Sequence, residues 1–267
     1  MKLTNTQLAD FERMGFVSID DALNPEDLNT IEARLKEFSS KDYPGHVLEK
    51  HGQSYRAFHG CHLYDPFFNN FIRSPAFIEP ARQILDGPVY LHQLKINLKA
   101  PFNGEQWPWH QDYIYWRNED QIQKDAIVSV MVFLDDITEF NGPLYFIPGS
   151  HKHGVIEADK TSDLKSGWEA DVSAALSYQV NADLVSQYVD AGGIYSAKGK
   201  KGTVLWFHGN IVHASPSNLS PFQRRIAIFT YNATHNAPHD ADQEKRPEFL
   251  NNRDRSELSP LTYELID

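Results

Sequence analysis

The sequence has very little cysteine and no long hydrophobic run. Only one of its 267 residues is a cysteine, Cys61, so the chain cannot form an internal disulfide. No window approaches the roughly 18 consecutive apolar residues of a membrane-spanning helix. Residues 1–7 are polar and lack the apolar core of a signal peptide. These absences argue against a disulfide-stabilised secreted protein and favour a cytoplasmic protein that does not cross a membrane.

Positive charge is also scarce. The chain has 25 lysines and arginines against 36 acidic residues, which gives a formal net charge of −11. This balance argues against nucleic acid or an anionic membrane as the partner. A hydrophobic content of 41% and a charged content of 23% are ordinary for a globular protein. We therefore expect one domain over residues 1–267 that acts on a small molecule.

The amino-terminal part carries helix signals. Thr4 and Gln7 form a capping-box pattern, and Asn24 followed by Pro25 is typical of a second helix start. A third helix is predicted near 78–85. We expect residues 1–88 to be mainly helical.

From Val89 the pattern changes to the period of two that indicates a strand, and this alternation continues to Lys99. Further strands are predicted at 126–134, 144–147, 203–207 and 225–231, with turn residues between them. Several short strands after helices predict a closed, mainly β core with flanking α-helices. We expect this core at 89–235, an insertion at 157–200 and a covering segment at 236–267.

The most specific feature is a set of possible metal ligands. His110 and Asp112 are separated by one residue, so on a strand both side chains would point to the same face. His213 would join them from another strand. Two imidazoles and one carboxylate suit Fe(II), although zinc, manganese or nickel could occupy such a site. With 12 histidines and 36 acidic residues the His-x-Asp spacing could also arise by chance, as His151 and His153 illustrate.

The surroundings of these residues favour a functional site. Aromatic residues flank His110 densely and would exclude water from a reactive centre. Arg224 follows His213 by 11 positions, next to a predicted strand, and a buried guanidinium there would grip a carboxylate with two hydrogen bonds. A surface charge at a strand start is the alternative. The aromatic residues are Trp107, Trp109, Tyr113, Tyr115 and Trp116.

The order and spacing of these parts resemble the phytanoyl-CoA dioxygenase (PhyH) family of Fe(II)/2-oxoglutarate oxygenases over residues 1–235. Within the family, the sequence is most similar to hydroxylases of free aliphatic amino acids of the leucine 5-hydroxylase type, with ectoine hydroxylase more distant. The resemblance rests on Gln93-x-Lys95-x-Asn97, Trp109-His110-x-Asp112, Asn141-Gly142-Pro143-Leu144, Pro148-Gly149-Ser150-His151, His213-x-Ser215, Arg224-Arg225 and Arg246-Pro247-Glu248-Phe249-Leu250.

The resemblance implies a double-stranded β-helix, or jelly roll, of the cupin-like kind. It implies Fe(II), 2-oxoglutarate as cosubstrate and O2. The iron ligands would be His110, Asp112 and His213, and an intact Asp112 favours hydroxylation over halogenation. Residues implied to bind 2-oxoglutarate are Arg224, Ser215, Asn97, Lys95 and Trp107. From the strand pattern alone, Lys95 and Asn97 face either a polar pocket or solvent.

Substrate residues are predicted less directly. A free amino acid needs a partner for its carboxylate, and Arg56 is our candidate, with Phe58 and His59 as walls. Gln93, Tyr113 and Trp116 are expected on the substrate side. A surface arginine on a loop is the alternative for Arg56.

The predicted reaction is hydroxylation of a free aliphatic amino acid such as L-leucine or L-isoleucine, with release of succinate and CO2. The alternative is the same chemistry on a cyclic amino acid, an ectoine-like compound or a natural-product intermediate. A jelly-roll binding module without catalysis is another class, which both halves of the ligand set and Arg224 disfavour. A zinc hydrolase would need a general base that the aromatic surroundings do not offer.

Overall fold

The computed structural model describes residues 1–50, 52–157, 168–173, 175–238 and 246–261. Parts of the predicted insertion at 157–200 and of the predicted covering segment at 236–267 therefore lie outside the described residues. The helices are α1 (Asn5–Met14), α2 (Pro25–Ser39), α3 (Cys61–Tyr64), α4 (Pro66–Phe71), α5 (Pro75–Ile84), α6 (Tyr113–Asp120) and α7 (Ala182–Gly192), with short 3-10 helices at Ser150–His153, Trp168–Val172 and Thr234–Asn236.

The strands form two antiparallel sheets. They are β1 (Phe16–Ile19), β2 (His46–Leu48), β3 (Tyr55–His59), β4 (Val89–Lys99), β5 (Trp107–His110), β6 (Ile127–Phe133), β7 (Leu144–Phe146), β8 (Tyr195–Ala197), β9 (Val204–His208), β10 (His213–Ser215) and β11 (Arg224–Ala233). The larger sheet has the order β1-β9-β6-β11-β4-β3-β2, and the smaller has the order β5-β10-β7-β8. This arrangement, with helices outside it, confirms the predicted jelly-roll class.

The helix starts follow the expected capping chemistry. The Thr4 side chain accepts a hydrogen bond from the Gln7 amide, and the Gln7 side chain accepts one from the Thr4 amide. Asn24 caps α2 by accepting from the amide of Asp27. The apolar stripe of α2 is buried against the larger sheet and consists of Leu28, Ile31, Leu35 and Phe38.

Residues 1–88, the part predicted to be mainly helical with a strand at Phe16–Ile19, contain two further strands. Strands β1, β2 and β3 lie in this part and extend the larger sheet at both of its edges. The pairing of β3 with β4 places His59 opposite Lys95. The amino-terminal part therefore contributes side chains to the face of β4 on which Gln93, Lys95 and Asn97 lie.

The two sheets enclose an apolar core. Met131 and Phe133 of β6, Phe207 of β9 and Phe146 of β7 are buried in one cluster between the sheets. Complete burial of an apolar side chain as large as these stabilises the fold by about 1.5–3 kcal/mol. None of the described helices is long and apolar enough to cross a membrane.

Candidate active site and metal centre

Two neighbouring strands of the smaller sheet position the histidines. His110 is the last residue of β5, and His213 is the first residue of β10 and its direct register partner. Their ring centroids lie 4.1 Å apart. Cross-strand pairing thus brings together two side chains that are about a hundred residues apart in the sequence.

Asp112 reaches the histidines from a helix start and not from a strand. β5 ends at His110, and Asp112 has helical dihedral angles (φ −73°, ψ −37°) as the cap residue of α6. The prediction that both residues share one strand face was therefore wrong, although their side chains converge. Asp112 Oδ1 lies 3.8 Å from His110 Nε2, and Oδ2 lies 3.9 Å from His213 Nε2. All three ligand atoms lie within 4.8 Å of one another, so they could hold one ion.

Backbone carbonyls orient both imidazoles. His110 Nδ1 lies 2.6 Å from the Pro108 carbonyl oxygen, and His213 Nδ1 lies 3.0 Å from that of Ile211. With Nδ1–H as the donor, the lone pair of Nε2 points towards Asp112 and is available to a metal. This outer hydrogen bond is typical of histidines that ligate metal ions.

The protonation states also suit a metal. Burial lowers the pKa of His110 to about 3 and also lowers that of His213. Burial alone would raise the pKa of Asp112, but nearby positive charge, chiefly that of Lys95, outweighs this effect, and the pKa is lowered. The triad therefore presents neutral imidazoles and an ionised carboxylate at neutral pH, which are the forms that bind metal ions.

A cavity opens beside the triad. The predicted face of β4 lines it, so the polar residues of this strand face a pocket and not solvent. The predicted residues in its wall, besides the triad, are His59, Gln93, Lys95, Asn97, Trp107, Trp116, Ser215 and Arg224. Tyr115, which was predicted as part of the aromatic surroundings of His110, also lines it. Residues that were not predicted to belong to the site line it as well, among them Leu144, Asp171, Val172, Leu176, Ile228 and Arg246.

Arg224 is a buried cation with unused hydrogen-bond donors. It is the first residue of β11 and is fully buried, and Nε and both terminal nitrogens have no partner among the described residues. The Ser215 hydroxyl in the same wall is also without a partner there. Burial, and next the charge of Arg56, lower the pKa of Arg224 to about 9, so it stays protonated at neutral pH. A carboxylate is the ligand that would satisfy these donors.

Lys95 lines the cavity beside a metal ligand. Its ammonium is 3.8 Å from Asp112 Oδ1. Asn97, two residues further along β4, directs an unpartnered side-chain oxygen into the protein interior. Because Arg224 pairs with Lys99, Asn97 and then Lys95 follow it along β4 towards Asp112. That these two residues contact a bound cosubstrate stays a prediction.

Arg56 does not face the cavity. Its guanidinium donates to Glu49 Oε2 (3.0 Å) and to the carbonyl oxygens of Gln106 (3.2 Å) and Val172 (3.3 Å). It also lies 3.6 Å above the ring centroid of Trp107. Because its donors are engaged, Arg56 supports the cavity wall from behind and is not placed to bind a substrate carboxylate.

Two other predicted substrate residues also lie outside the cavity wall. The ring of Phe58 packs in the larger apolar cluster, 5.9 Å from that of Phe38. The Tyr113 hydroxyl donates to the Ile122 carbonyl oxygen at 3.1 Å. Neither side chain lines the cavity.

The cavity instead contains a pair of opposite charges that sequence reasoning missed. Arg246, from the carboxy-terminal segment, donates to both carboxylate oxygens of Asp120. Asp171, in the 3-10 helix Trp168–Val172, accepts from the Ser177 hydroxyl at 2.6 Å. The motif that begins at Arg246 was noticed in the sequence, but nothing local indicates that it reaches β4 and α6.

An antiparallel jelly roll with two histidines and one aspartate beside an enclosed cavity defines the class of non-haem iron oxygenases. A family model described as phytanoyl-CoA dioxygenase (PhyH) matches residues 11–226. The chain belongs to this family and is a dioxygenase.

Relatives with known activities resemble it along most of their length. The L-proline trans-4-hydroxylase of Streptomyces griseoviridis is 35% identical over 94% of this chain and 93% of the relative. The ectoine dioxygenase of Halomonas elongata is 31% identical over 97% of this chain and 79% of the relative. The crystal structure of EctD from S. alaskensis with 2-oxoglutarate and 5-hydroxyectoine superposes with a TM-score of 0.84 at 25% identity, covering 99% of this chain and 89% of that one.

These relatives confirm the predicted family and reaction class. They do not support the narrower expectation of a leucine or isoleucine hydroxylase, because their names concern proline and ectoine. The expected alternative, a cyclic substrate, agrees better with them.

Proposed function

We propose that the protein is an Fe(II)/2-oxoglutarate-dependent hydroxylase of a free cyclic amino acid, with L-proline or an ectoine-like compound as the first candidates. The observation that carries this proposal is the composition of the cavity. It places a His-Asp-His triad, a guanidinium with unused donors and a separate pair of opposite charges around one space. The relatives named for proline and ectoine support the choice of substrate class.

One end of the cavity is suited to the cosubstrate. His110, Asp112 and His213 would hold Fe(II), and Arg224 with Ser215 would hold the distal carboxylate of 2-oxoglutarate. When bound, iron and 2-oxoglutarate supply the oxidising chemistry, in which O2 inserts one oxygen into a C–H bond and the other leaves in succinate, with CO2. Arg224 contributes orientation, because a planar guanidinium fixes a carboxylate with two parallel hydrogen bonds. Lys95 and Asn97 would contact the cosubstrate between these ends, and Trp107 would close one side.

The other end is suited to a zwitterion. The guanidinium of Arg246 would bind the substrate carboxylate, and the carboxylate of Asp171 would bind the cationic nitrogen group of the substrate. Each is buried to more than nine tenths. Opposite charges in one cavity wall would orient a zwitterion and disfavour a molecule with a single charge.

Neutral polar groups would complete the substrate end. Burial, followed by the charges of Lys95, Arg246 and Arg56, lowers the pKa of His59 to about 3, so its ring is neutral. Neither of its nitrogens has a partner among the described residues. The Gln93 amide is fixed by donation to the Leu250 carbonyl oxygen at 2.8 Å. These groups, with the ring of Trp116, would line the substrate and keep water out.

The test is anaerobic reconstitution with Fe(II) and 2-oxoglutarate, followed by admission of air in the presence of single substrates. The panel contains L-proline, ectoine, L-leucine and L-isoleucine, with succinate and oxygenated product quantified by mass spectrometry. We expect substrate-stimulated succinate and a product with one added oxygen for a cyclic member of the panel. Stimulation by L-leucine or L-isoleucine alone would overturn the proposed substrate class, and no stimulation by any panel member would refute a free amino acid.

A further inference from the structure

Helix α6 carries a buried aspartate at each end, and each aspartate has a charged partner in the cavity. Resting on the proposed function, we propose that Asp120 is a positioning residue that fixes Arg246 at a set distance from the metal ligands. This distance would decide which carbon of the substrate faces the oxidant. Asp120 does not touch the substrate in this arrangement and acts only through Arg246.

The helix provides a rigid spacer. Asp112, a metal ligand, is its cap residue, and Asp120 is its last residue. Eight residues at about 1.5 Å rise each separate the two along the helix axis by about 12 Å. The hydrogen bonds of the helix keep this separation constant, whereas two loops would not.

The contact between Asp120 and Arg246 fixes both the distance and the orientation of the guanidinium relative to the carboxylate. Arg246 Nε donates to Asp120 Oδ1 at 2.8 Å, and a terminal nitrogen of Arg246 donates to Oδ2. A two-point contact between a planar guanidinium and a planar carboxylate prevents rotation of the guanidinium. The carboxylate of Asp120 is completely shielded from solvent, so water does not compete for these bonds.

A third residue holds the aspartate. His92 of β4 is fully buried and donates from Nε2 to Asp120 Oδ2 at 3.1 Å. Its ring meets the Trp116 ring edge-on with centroids 5.7 Å apart, and Trp116 lies on α6 and in the cavity wall. The carbonyl oxygen of His92 also accepts from the Asn252 amide at 2.9 Å. Strand β4, helix α6 and the carboxy-terminal segment are thus locked together at this point.

A small cyclic substrate makes this spacing decisive. A ring has few rotatable bonds, so anchoring its carboxylate at Arg246 fixes the distance of every ring carbon from the triad. A shift of about 1 Å at such a site is enough to change reactivity by about a hundredfold. Moving Arg246 should therefore change the carbon that is hydroxylated, and not only the affinity for the substrate.

The experiment compares Asp120→Asn and Asp120→Glu with Asp135→Asn. Asp135 also binds an arginine with two hydrogen bonds, because Arg225 donates to it at 3.0 and 2.7 Å, but this pair lies outside the cavity wall. Steady-state constants are measured for L-proline, or for ectoine if the wild-type enzyme prefers it, and for 2-oxoglutarate. Product isomers are separated by chromatography, and the thermal midpoint of each variant is recorded.

We expect Asp120→Asn to raise the KM for the amino acid by about 10- to 100-fold, the usual cost of removing a group that orients a ligand. The KM for 2-oxoglutarate should change less than about twofold, since Arg224 is untouched. Asp120→Glu keeps the charge but displaces Arg246, so it should fold and give a second product isomer or succinate without hydroxylated product. With L-prolinamide, which lacks the carboxylate, the variants and wild type should differ little.

The inference is overturned if Asp120→Glu gives wild-type regiochemistry and coupling, or if Asp120→Asn behaves like Asp135→Asn towards the amino acid. An equal loss with L-prolinamide would also overturn it, because the effect would then be structural. A wild-type enzyme that oxidises no amino acid refutes the proposed function instead. The two failures are therefore separable.

Discussion

Replacing Arg224 by methionine should weaken cosubstrate binding and stabilise the protein in the absence of cosubstrate. The side chain is fully buried, and none of its three nitrogens has a partner among the described residues. Removing one member of a buried hydrogen-bonded charge pair costs about 2–5 kcal/mol. At about 1.4 kcal/mol for each factor of ten, the dissociation constant for 2-oxoglutarate should rise by about 30- to 4,000-fold.

The stability effect has the opposite sign. Burial lowers the pKa of Arg224 from 12.5 to about 9, and one pKa unit corresponds to about 1.4 kcal/mol. Keeping Arg224 charged therefore costs the folded protein about 5 kcal/mol when no cosubstrate is bound. Methionine fills a similar volume without charge, so part of this cost should be removed, as with other buried charges replaced by apolar residues.

The assay is chemical denaturation with and without 2-oxoglutarate, together with titration of the cosubstrate by calorimetry in the presence of Mn(II). The free energy of unfolding of the wild-type protein should rise when the cosubstrate is added. That of Arg224→Met should be higher than wild type without cosubstrate and should rise little when the cosubstrate is added. Arg225→Met is the matched control, because Arg225 is paired with Asp135 and should lose stability without losing cosubstrate affinity. Unchanged 2-oxoglutarate affinity in Arg224→Met would refute the clamp, and a large loss of stability would refute the stated cost of the buried charge.

Three further predictions concern the metal, the cavity wall and pH. Asp112→Ala should weaken the binding of Co(II), which can be followed by its absorption spectrum. We expect a loss of more than about a hundredfold, because losing a residue that only hydrogen-bonds to a metal ligand already costs up to about that much. A near-normal spectrum would contradict the ligand assignment. Arg56→Met should lower the free energy of unfolding by about 3–5 kcal/mol, because it leaves the buried acid Glu49 unpaired. It should also raise the ratio of succinate to hydroxylated product. If neither quantity changes, Arg56 does not support the cavity wall. Burial lowers the pKa of His59 to about 3 and those of His62 and His208 to about 4. These rings are neutral in the folded protein but bind protons below about pH 6.5 in the unfolded chain. The free energy of unfolding should therefore fall as the pH drops from 6.5 towards 4, by up to about 1.4 kcal/mol per pH unit for each histidine. Denaturation curves of the metal-free protein that do not change between pH 7 and 5 would refute this.

The sequence predicted the parts of the site that depend on local pattern or on rare residue types. The alternation along β4 is a property of the strand backbone, so the shared face of Lys95 and Asn97 could be read directly. Histidine and aspartate are chemically suited to iron, and His213 could be assigned without knowing its strand. The closed, mainly β core followed from the succession of short strands, and the jelly roll followed from the family resemblance.

Contacts between distant segments could not be predicted in this way. Arg56 binds Glu49, seven residues away, but also backbone oxygens 50 and 116 residues away. Its burial therefore depends on loops whose paths have no local signal. The same holds for Arg246, whose partner Asp120 lies 126 residues earlier. Both arginines were visible in the sequence, and only the tertiary arrangement decides which of them faces the cavity.

The two arginines in the cavity wall have different partners, and this difference would allow each to bind a different anion. Arg224 has no carboxylate partner among the described residues, so its full charge is available, which suits a cosubstrate that carries two negative charges. Arg246 is already paired with Asp120 and has Asp171 nearby, and these acids raise its pKa although burial alone would lower it. A carboxylate of a zwitterion can bind there because its own ammonium balances the charge, whereas a dianion would meet two buried acids. Under the proposed function, this charge pattern alone would direct 2-oxoglutarate to Arg224 and an amino acid to Arg246, independently of the fit of their shapes.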